Sequence, residues 1–233
     1  MEHWINLPHN FHRKHGIRFL CLLLVFSLFS PSISAEKGST NVYHRHDNDR
    51  MKVALTFDDG PHPLLTPIIL DILAKYHVKA TFFIVGENAV NYPDVVERIL
   101  KEGHEIGNHT HTHDKIDTFE LEQCEKTIYE LTDYRTKLFR PPEGLINRTI
   151  KNVSENMGYD IILWNIDTRD WDHTDPNAIY KNVTENISSG SIILMHDYIS
   201  YHSPTPKALE LMLPKLMDDG FQFVVVSELI GSQ

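Results

Sequence analysis

A chain of 233 residues with 22 lysines and arginines against 32 aspartates and glutamates carries a formal charge of −10, histidine counted neutral. With 41% hydrophobic and 23% charged residues the composition is that of an ordinary globular protein, which excludes a collagen-like repeat, a disordered tail and a multi-span membrane protein. An acidic chain without a long Lys/Arg block is also a poor nucleic-acid binder, because neutralising phosphates supplies most of that affinity.

Residues 1–35 read as a secretory signal peptide. A basic stretch with Arg13, Lys14 and Arg18 precedes an apolar run over residues 19–29, and Ser-Pro-Ser-Ile-Ser-Ala leads to a break after Ala35. A membrane-spanning helix needs roughly twenty apolar residues, so cleaved export is favoured over a permanent anchor. The expected location is outside the cell or in its wall. Cleavage would remove Cys21 and leave Cys124 alone, so no disulfide forms within the mature chain although export permits one. Cys124 lies in a stretch of helical period and reads as a small core residue. Residues 36–50, EKGSTNVYHRHDNDR, are polar without apolar period and read as a solvated linker, which sets His44 and His46 aside as metal ligands.

From residue 51 to 233 the chain reads as one domain in which short apolar runs alternate with stretches of helical period. Strands are expected at 53–57, 80–85, 104–106, 138–140, 160–164, 191–195 and 221–226. Helices are expected near 65–76, 94–102, 119–137, 147–157, 176–188 and 207–218. Seven strands alternating with helices predict a parallel α/β sheet that closes into a barrel, whose chemistry would sit at the carboxyl ends of the strands.

The unusual polar residues fall at those ends. Thr56-Phe57-Asp58-Asp59-Gly60-Pro61 closes the first strand. Asp-Gly-Pro is good turn chemistry, but adjacent residues leaving a strand diverge, so one carboxylate can bind a metal while the other faces a water beside it. Asn108-His109-Thr110-His111-Thr112-His113-Asp114 follows the third strand, with His109 and His113 four apart, as on one face of a helical turn. There is no His-Glu-x-x-His, so the expected site is two histidines plus an aspartate from the first strand, with a position open to water. Phe139-Arg140-Pro141-Pro142-Glu143-Gly144 forms a rigid loop able to present backbone N–H groups to the rim. Asp167-Thr168-Arg169-Asp170-Trp171 and Leu194-Met195-His196-Asp197 each follow a strand. These parts suit amide hydrolysis, which needs a metal, a base, an oxyanion site and an acid for the departing amine. A non-haem iron oxygenase also uses two histidines and a carboxylate, but would not account for Asp58, Arg140 and His196.

Thr-Phe-Asp-Asp-Gly-Pro at 56–61, His-Thr-His-Thr-His at 109–113, Arg-Pro-Pro-Glu-Gly at 140–144, Asp-Trp at 170–171 and Leu-Met-His at 194–196 resemble the five ordered motifs of the NodB-homology polysaccharide deacetylases, carbohydrate esterase family four. The resemblance implies a distorted, incomplete (β/α) barrel, a divalent metal, most often zinc, and removal of acetyl from N-acetylglucosamine-type or acetylxylan polymers. It implies a polysaccharide as the partner molecule, and no nucleic acid or stable protein partner. It implies Asp58 as general base, Asp59, His109 and His113 as metal ligands, His196 as general acid, Arg140 orienting Asp58, and Asp170 orienting His196. Trp171 and Leu194 resemble the apolar walls that receive the acetyl methyl, and His111 has no role in the pattern. One position departs from it. An aromatic residue usually follows Arg-Pro-Pro and lends its backbone N–H to the oxyanion hole, and here that position is Glu143. The departure bears on substrate preference and rate, and suggests as the alternative a carbohydrate-binding or morphogenetic protein that has lost turnover.

Overall fold

The computed structural model describes residues 40–47, 50–198 and 202–231. The expected signal peptide lies outside them. In chain order the strands are β1 (Val42–Tyr43), β2 (Lys52–Asp58), β3 (Thr81–Ile84), β4 (Glu105–Asn108), β5 (Leu138–Phe139), β6 (Asp160–Ile162), β7 (Ile166–Asp167), β8 (Ile192–His196) and β9 (Gln222–Phe223). The helices are α1 (Leu65–Lys75), α2 (Gly86–Asn91), α3 (Pro93–Lys101), α4 (Thr118–Thr132), α5 (Arg148–Met157), α6 (Pro176–Asn186), α7 (Thr205–Asp218) and α8 (Val226–Ile230).

Eight strands pair in the order β1-β6-β5-β4-β3-β2-β8-β7, and β9 pairs with the start of β2. Every pairing between named strands is parallel. The sheet is curled, with β1 and β7 as its two ends, and forms the distorted, incomplete barrel expected from the motifs.

The strands are buried on both faces, which is why they read as almost continuous apolar runs. Side chains alternate across the sheet. Leu55, Phe57, Phe82, Ile84, Ile106, Ile193 and Met195 pack outward against α1, α4, α6 and α7. Ala54, Phe83, Leu138, Ile162 and Ile192 point inward, where Val226, Leu229 and Ile230 of α8 meet them. Each fully buried Leu, Ile, Val, Phe or Met among these contributes about 1.5–3 kcal/mol.

Polar bonds hold α8 at the amino ends of the strands. Thr81 Oγ1 donates to Glu105 Oε2 at 2.8 Å, the same oxygen accepts from Ser227 N at 3.2 Å, and Val226 N donates to Thr81 Oγ1 at 2.9 Å. The opposite end, where Asp58, Asn108 and His196 close their strands, is left for the loops. Cys124 is fully buried as expected, its Sγ 3.5 Å from Ile84 O, and burial pushes its thiol up to about 12.

Four expectations are corrected. The expected solvated linker over 36–50 is not one at 42–46: Val42 and Tyr43 pair with Ile161 and Ile162, Arg45 bridges Ser191, and His46 N donates to Gly190 O. Two residues are too short a run for any period to register. The strand expected at 221–226 ends at Phe223, and Val226 already begins α8. The short elements β7 and α2, again below the length at which periodicity speaks, are additional. The segment 109–113 is a loop, not a helical turn, with Thr110 and His113 in the left-handed region at φ 68° and 67°.

Candidate active site

Alternation along β2 places Ala54, Thr56 and Asp58 on the inner face, and Arg140 enters between them. Read from sequence alone Arg140 could be a surface charge; it is in fact wholly buried. Nη1 donates to Asp58 Oδ1 at 2.7 Å and Thr56 Oγ1 at 2.8 Å, Nε to Ile162 O at 2.9 Å and Nη2 to Leu163 O at 3.1 Å. The guanidinium lies 4.1 Å from the ring centre of Phe83 and 5.5 Å from that of Trp164. Burial pulls the Arg140 pKa below its ordinary value, opposed by the charge and hydrogen bond of Asp58. A buried cation is tolerable only when paired and well hydrogen-bonded, and here every guanidinium nitrogen donates at least once.

Asp59 follows with φ 74°, which turns its carboxylate away from that of Asp58. Its Oδ1 lies 3.3 Å from His109 Nε2 and 3.2 Å from His113 Nε2. His109 Nδ1 is 2.7 Å from Arg140 O, an atom that can only accept, so a proton sits on Nδ1 and Nε2 is the nitrogen turned toward Asp59. Burial opposes ionisation of Asp59, yet hydrogen bonds from His109 and His113 and the charges of His109 and His196 outweigh it and hold the carboxyl well below the usual range. The Asp59 hydrogen bond raises the His113 pKa against a smaller opposing effect of burial.

The three ligand atoms lie within 4.8 Å of one another. A tetrahedral ion with bonds of about 2.0–2.1 Å sets its ligand atoms roughly 3.3–3.4 Å apart. The oxygen-to-nitrogen separations match that edge, and the donor set suits a divalent cation of the zinc type.

The loop that carries these histidines is tied down by a residue absent from the motifs. Glu120 Oε2 accepts from His111 N at 3.2 Å, Thr112 N at 2.8 Å and Thr112 Oγ1 at 2.9 Å. His113 N donates to Thr110 Oγ1, and Thr110 N to Asn108 Oδ1. His111 packs on Gly86, where a Cβ would come within 2.1 Å of its Nδ1, and so serves packing. Asp117 caps α4 by accepting from Glu120 N, but no local pattern tells that the Glu120 side chain reaches back to the loop.

His196 is paired in register with Asp58 across the neighbouring strands β2 and β8. Its Nδ1 lies 2.8 Å from Asp170 Oδ1, and its N–H donates to Asp170 Oδ2 at 2.8 Å. A carboxylate only accepts, so Nδ1 carries a proton. Burial lowers the imidazole pKa, but Asp170, with Asp58 and Asp59, more than reverses this and raises it to about 9. Neighbouring Asp197 is also buried, takes the Thr66 hydroxyl at 2.6 Å, and is raised by burial to about 7. A Cβ on Gly60 would lie 2.1 Å from its Oδ2, which gives the glycine between Asp59 and Pro61 a steric reason.

Pro141 and Pro142 lead into a tight turn in which Gly144 N donates to Pro141 O and Leu145 N to Pro142 O. Glu143 sits in that turn with φ 57°, its N–H unused by the turn's own bonds and its side chain exposed. A cleft of about 460 Å³ is lined by Asp58, Asp59, His109, His113, Glu143, Trp171, Leu194 and His196, with Trp164 and Asp167 completing the lining. Arg140 and Asp170 stand behind this lining. Among the expected site residues every one is thus in the cleft or hydrogen-bonded to one that is.

The family model described as polysaccharide deacetylase matches residues 45–162. A peptidoglycan-N-acetylglucosamine deacetylase of Bacillus cereus is 40% identical over 191 residues, covering 78% of this chain and 90% of that protein. The crystal structure of the Bc1960 peptidoglycan N-acetylglucosamine deacetylase superposes with a TM-score of 0.79 at 34% identity, over 82% of this chain and 94% of the other. BA3943 from Bacillus anthracis, described as a CE4 family pseudoenzyme, superposes with a TM-score of 0.77 at 28% identity, over 84% and 70%.

Proposed function

The chain belongs to the polysaccharide deacetylase family, and on that premise we propose that it is a secreted, metal-dependent hydrolase removing N-acetyl groups from an N-acetylglucosamine polymer, peptidoglycan before a chitin-like glycan. The carrying observation is the placement of two differently supported groups, Asp58 on Arg140 and His196 on Asp170, in one cleft with Asp59, His109 and His113. Export rests on the layout of residues 1–35 alone.

Asp59, His109 and His113 would hold a divalent cation, zinc by its donor set, which when bound lowers the pKa of water to roughly 7 and polarises the acetyl carbonyl. Asp58 takes the proton of the attacking water. Arg140 keeps that carboxylate aimed, because its rotation would abandon a buried guanidinium. The Glu143 N–H, which the turn does not consume, is available to the developing oxyanion. His196 enters protonated on Nε2 while Asp170 keeps Nδ1–H in place, and passes the Nε2 proton to the departing amine, a very poor leaving group without it. Trp171 and Leu194 line the cleft as apolar walls for the acetyl methyl.

Acetate release from peptidoglycan, chitin oligomers and acetylxylan tests the proposal. Release from peptidoglycan or chitin oligomers, abolished by a chelator and by Asp58→Asn, supports it; release from acetylxylan alone, which is ester cleavage, or a metal-loaded protein inert on the whole panel refutes it. The alternative of a glycan-binding protein without turnover draws on Glu143 and on the similarity to BA3943. Retained glycan binding with no acetate release, from both the wild type and Glu143→Tyr, would favour it.

A further inference from the structure

Thr205 lies outside every motif that led to the site. It opens α7, is fully buried, and stands 35 residues from Asp170 in sequence. Its Oγ1 donates to Asp170 Oδ2 at 2.6 Å. Ser203 Oγ donates to the same Thr205 oxygen at 3.0 Å, so the single Thr205 proton is directed at Asp170 and a lone pair receives Ser203.

Asp170 therefore has three donors in a site without solvent exposure: His196 Nδ1–H on Oδ1, and His196 N–H and Thr205 O–H on Oδ2. Two of the three come from His196 itself, at the end of β8. The backbone N–H holds Oδ2 from the strand, but the bond on Oδ1 comes from the imidazole that Asp170 itself has to orient, so on that oxygen there is no independent anchor for a soft terminal torsion. The third comes from a different element, a helix packed against the outer face of the sheet. That bond completes the triangle.

We propose that Thr205 is a positioning residue of the deacetylation, whose hydroxyl holds the plane of the Asp170 carboxylate and through it the orientation and tautomer of His196. The inference rests on the deacetylase reading above. Water cannot replace the lost donor at a fully buried carboxylate, so the whole effect falls on how Asp170 meets the imidazole. Thr205 does not line the cleft, so glycan binding is left alone.

The test uses the metal-loaded full chain with acetate release as readout. Thr205→Val, which keeps the shape and removes the donor, is expected to lower kcat about 10- to 30-fold, the scale of one charge-assisted buried hydrogen bond, with KM within about two-fold. Thr205→Ser is expected to return kcat to within about three-fold of wild type. In an Asp170→Asn background, Thr205→Val is expected to add less than about two-fold, because both act through one carboxylate. A Thr205→Val enzyme with wild-type kcat, or a loss fully additive to that of Asp170→Asn, overturns the proposal. If the valine variant does not fold, Thr205→Ala removes the same donor without the branched methyl and is read in the same way. Imidazole ¹⁵N shifts of His196, expected to move in the valine and not in the serine variant, test the positioning even if wild type is inert on every glycan. Inert wild type with moved shifts refutes the deacetylase reading alone, and active wild type with unmoved shifts refutes this inference alone.

Discussion

The two sides of the cleft are held by different means. On one side the base and acid candidates are anchored by buried protein groups: Asp58 by an Arg140 whose every donor group is used, and His196 by an Asp170 with three donors. On the other side Asp59 and His113 are about one-third exposed, with side-chain exposures of 31% and 38%, and their ligand atoms face chiefly one another. Only His109 is fixed from behind, through Arg140 O. The first side is preorganised by the fold. The second converges on a point that a cation would bind together, so loss of the cation and loss of the fold should be separable.

The largest expected effect breaks the preorganised side. Asp58→Asn removes the charge that pairs with a buried guanidinium, and should lower the rate of acetate release by roughly 10²–10⁴, the usual contribution of a general base. It should also destabilise the fold by about 3–5 kcal/mol, because the partner charge stays buried, as read by denaturant unfolding. His113→Ala should abolish metal retention and activity but, in chelated protein, change unfolding by less than about 0.5 kcal/mol, as for exposed positions generally. Equal destabilisation by the two variants would show that the sides do not differ in the way described.

A smaller effect concerns protonation. In chelated protein Asp170 and the acidic neighbours hold His196 at about 9 against the opposing effect of burial, and imidazole shifts followed by NMR should report that midpoint. A folded-state pKa raised above the unfolded 6.5 gives stability that is fully present below about 6.5 and is lost as pH rises through about 9. Metal loading places a cation beside the imidazole and should lower the midpoint. Since the acid must be protonated, activity should fall on the alkaline side of the loaded midpoint. A midpoint in chelated protein at the ordinary histidine value would remove Asp170 as the cause.

The architecture and the cleft were largely legible because both rest on signals that survive in one dimension. Long strands such as β2 and β8 are buried on both faces and leave uninterrupted apolar runs, and the residues that follow them are placed on one rim by the parallel order alone. What stayed hidden depends on side chains reaching across sequence. Glu120 holding the His111–Thr112 backbone and Thr205 on Asp170 have no local pattern, and Arg140 looks like a surface charge until Thr56, Asp58 and two carbonyls surround it. The spacing of His109 and His113 was right for the wrong reason. A helix would bring residues four apart together; here two left-handed residues in a loop do so.

The smallest expected effect tests Glu143, which belongs to neither side. Its backbone N–H is unaffected by the identity of its side chain, so the question is only what a carboxylate does at the mouth of the cleft. Glu143 raises the His113 pKa through its charge, which places that charge within electrostatic reach of the ligand group. A like charge near a forming oxyanion in a solvent-exposed mouth costs on the order of 0.5–1 kcal/mol at the effective dielectric of such sites. Glu143→Gln, which preserves length and the left-handed backbone without new strain, should therefore raise kcat about 2- to 5-fold at low salt. The gain should shrink as ionic strength rises, because exposed charges are screened beyond roughly 10 Å at 0.1 M. A Glu143→Gln enzyme indistinguishable from an active wild type at every salt concentration would mean that the carboxylate turns away from the oxyanion. The departure from the aromatic pattern would then carry no cost in turnover, and the reading without catalysis would lose its only support within the chain itself.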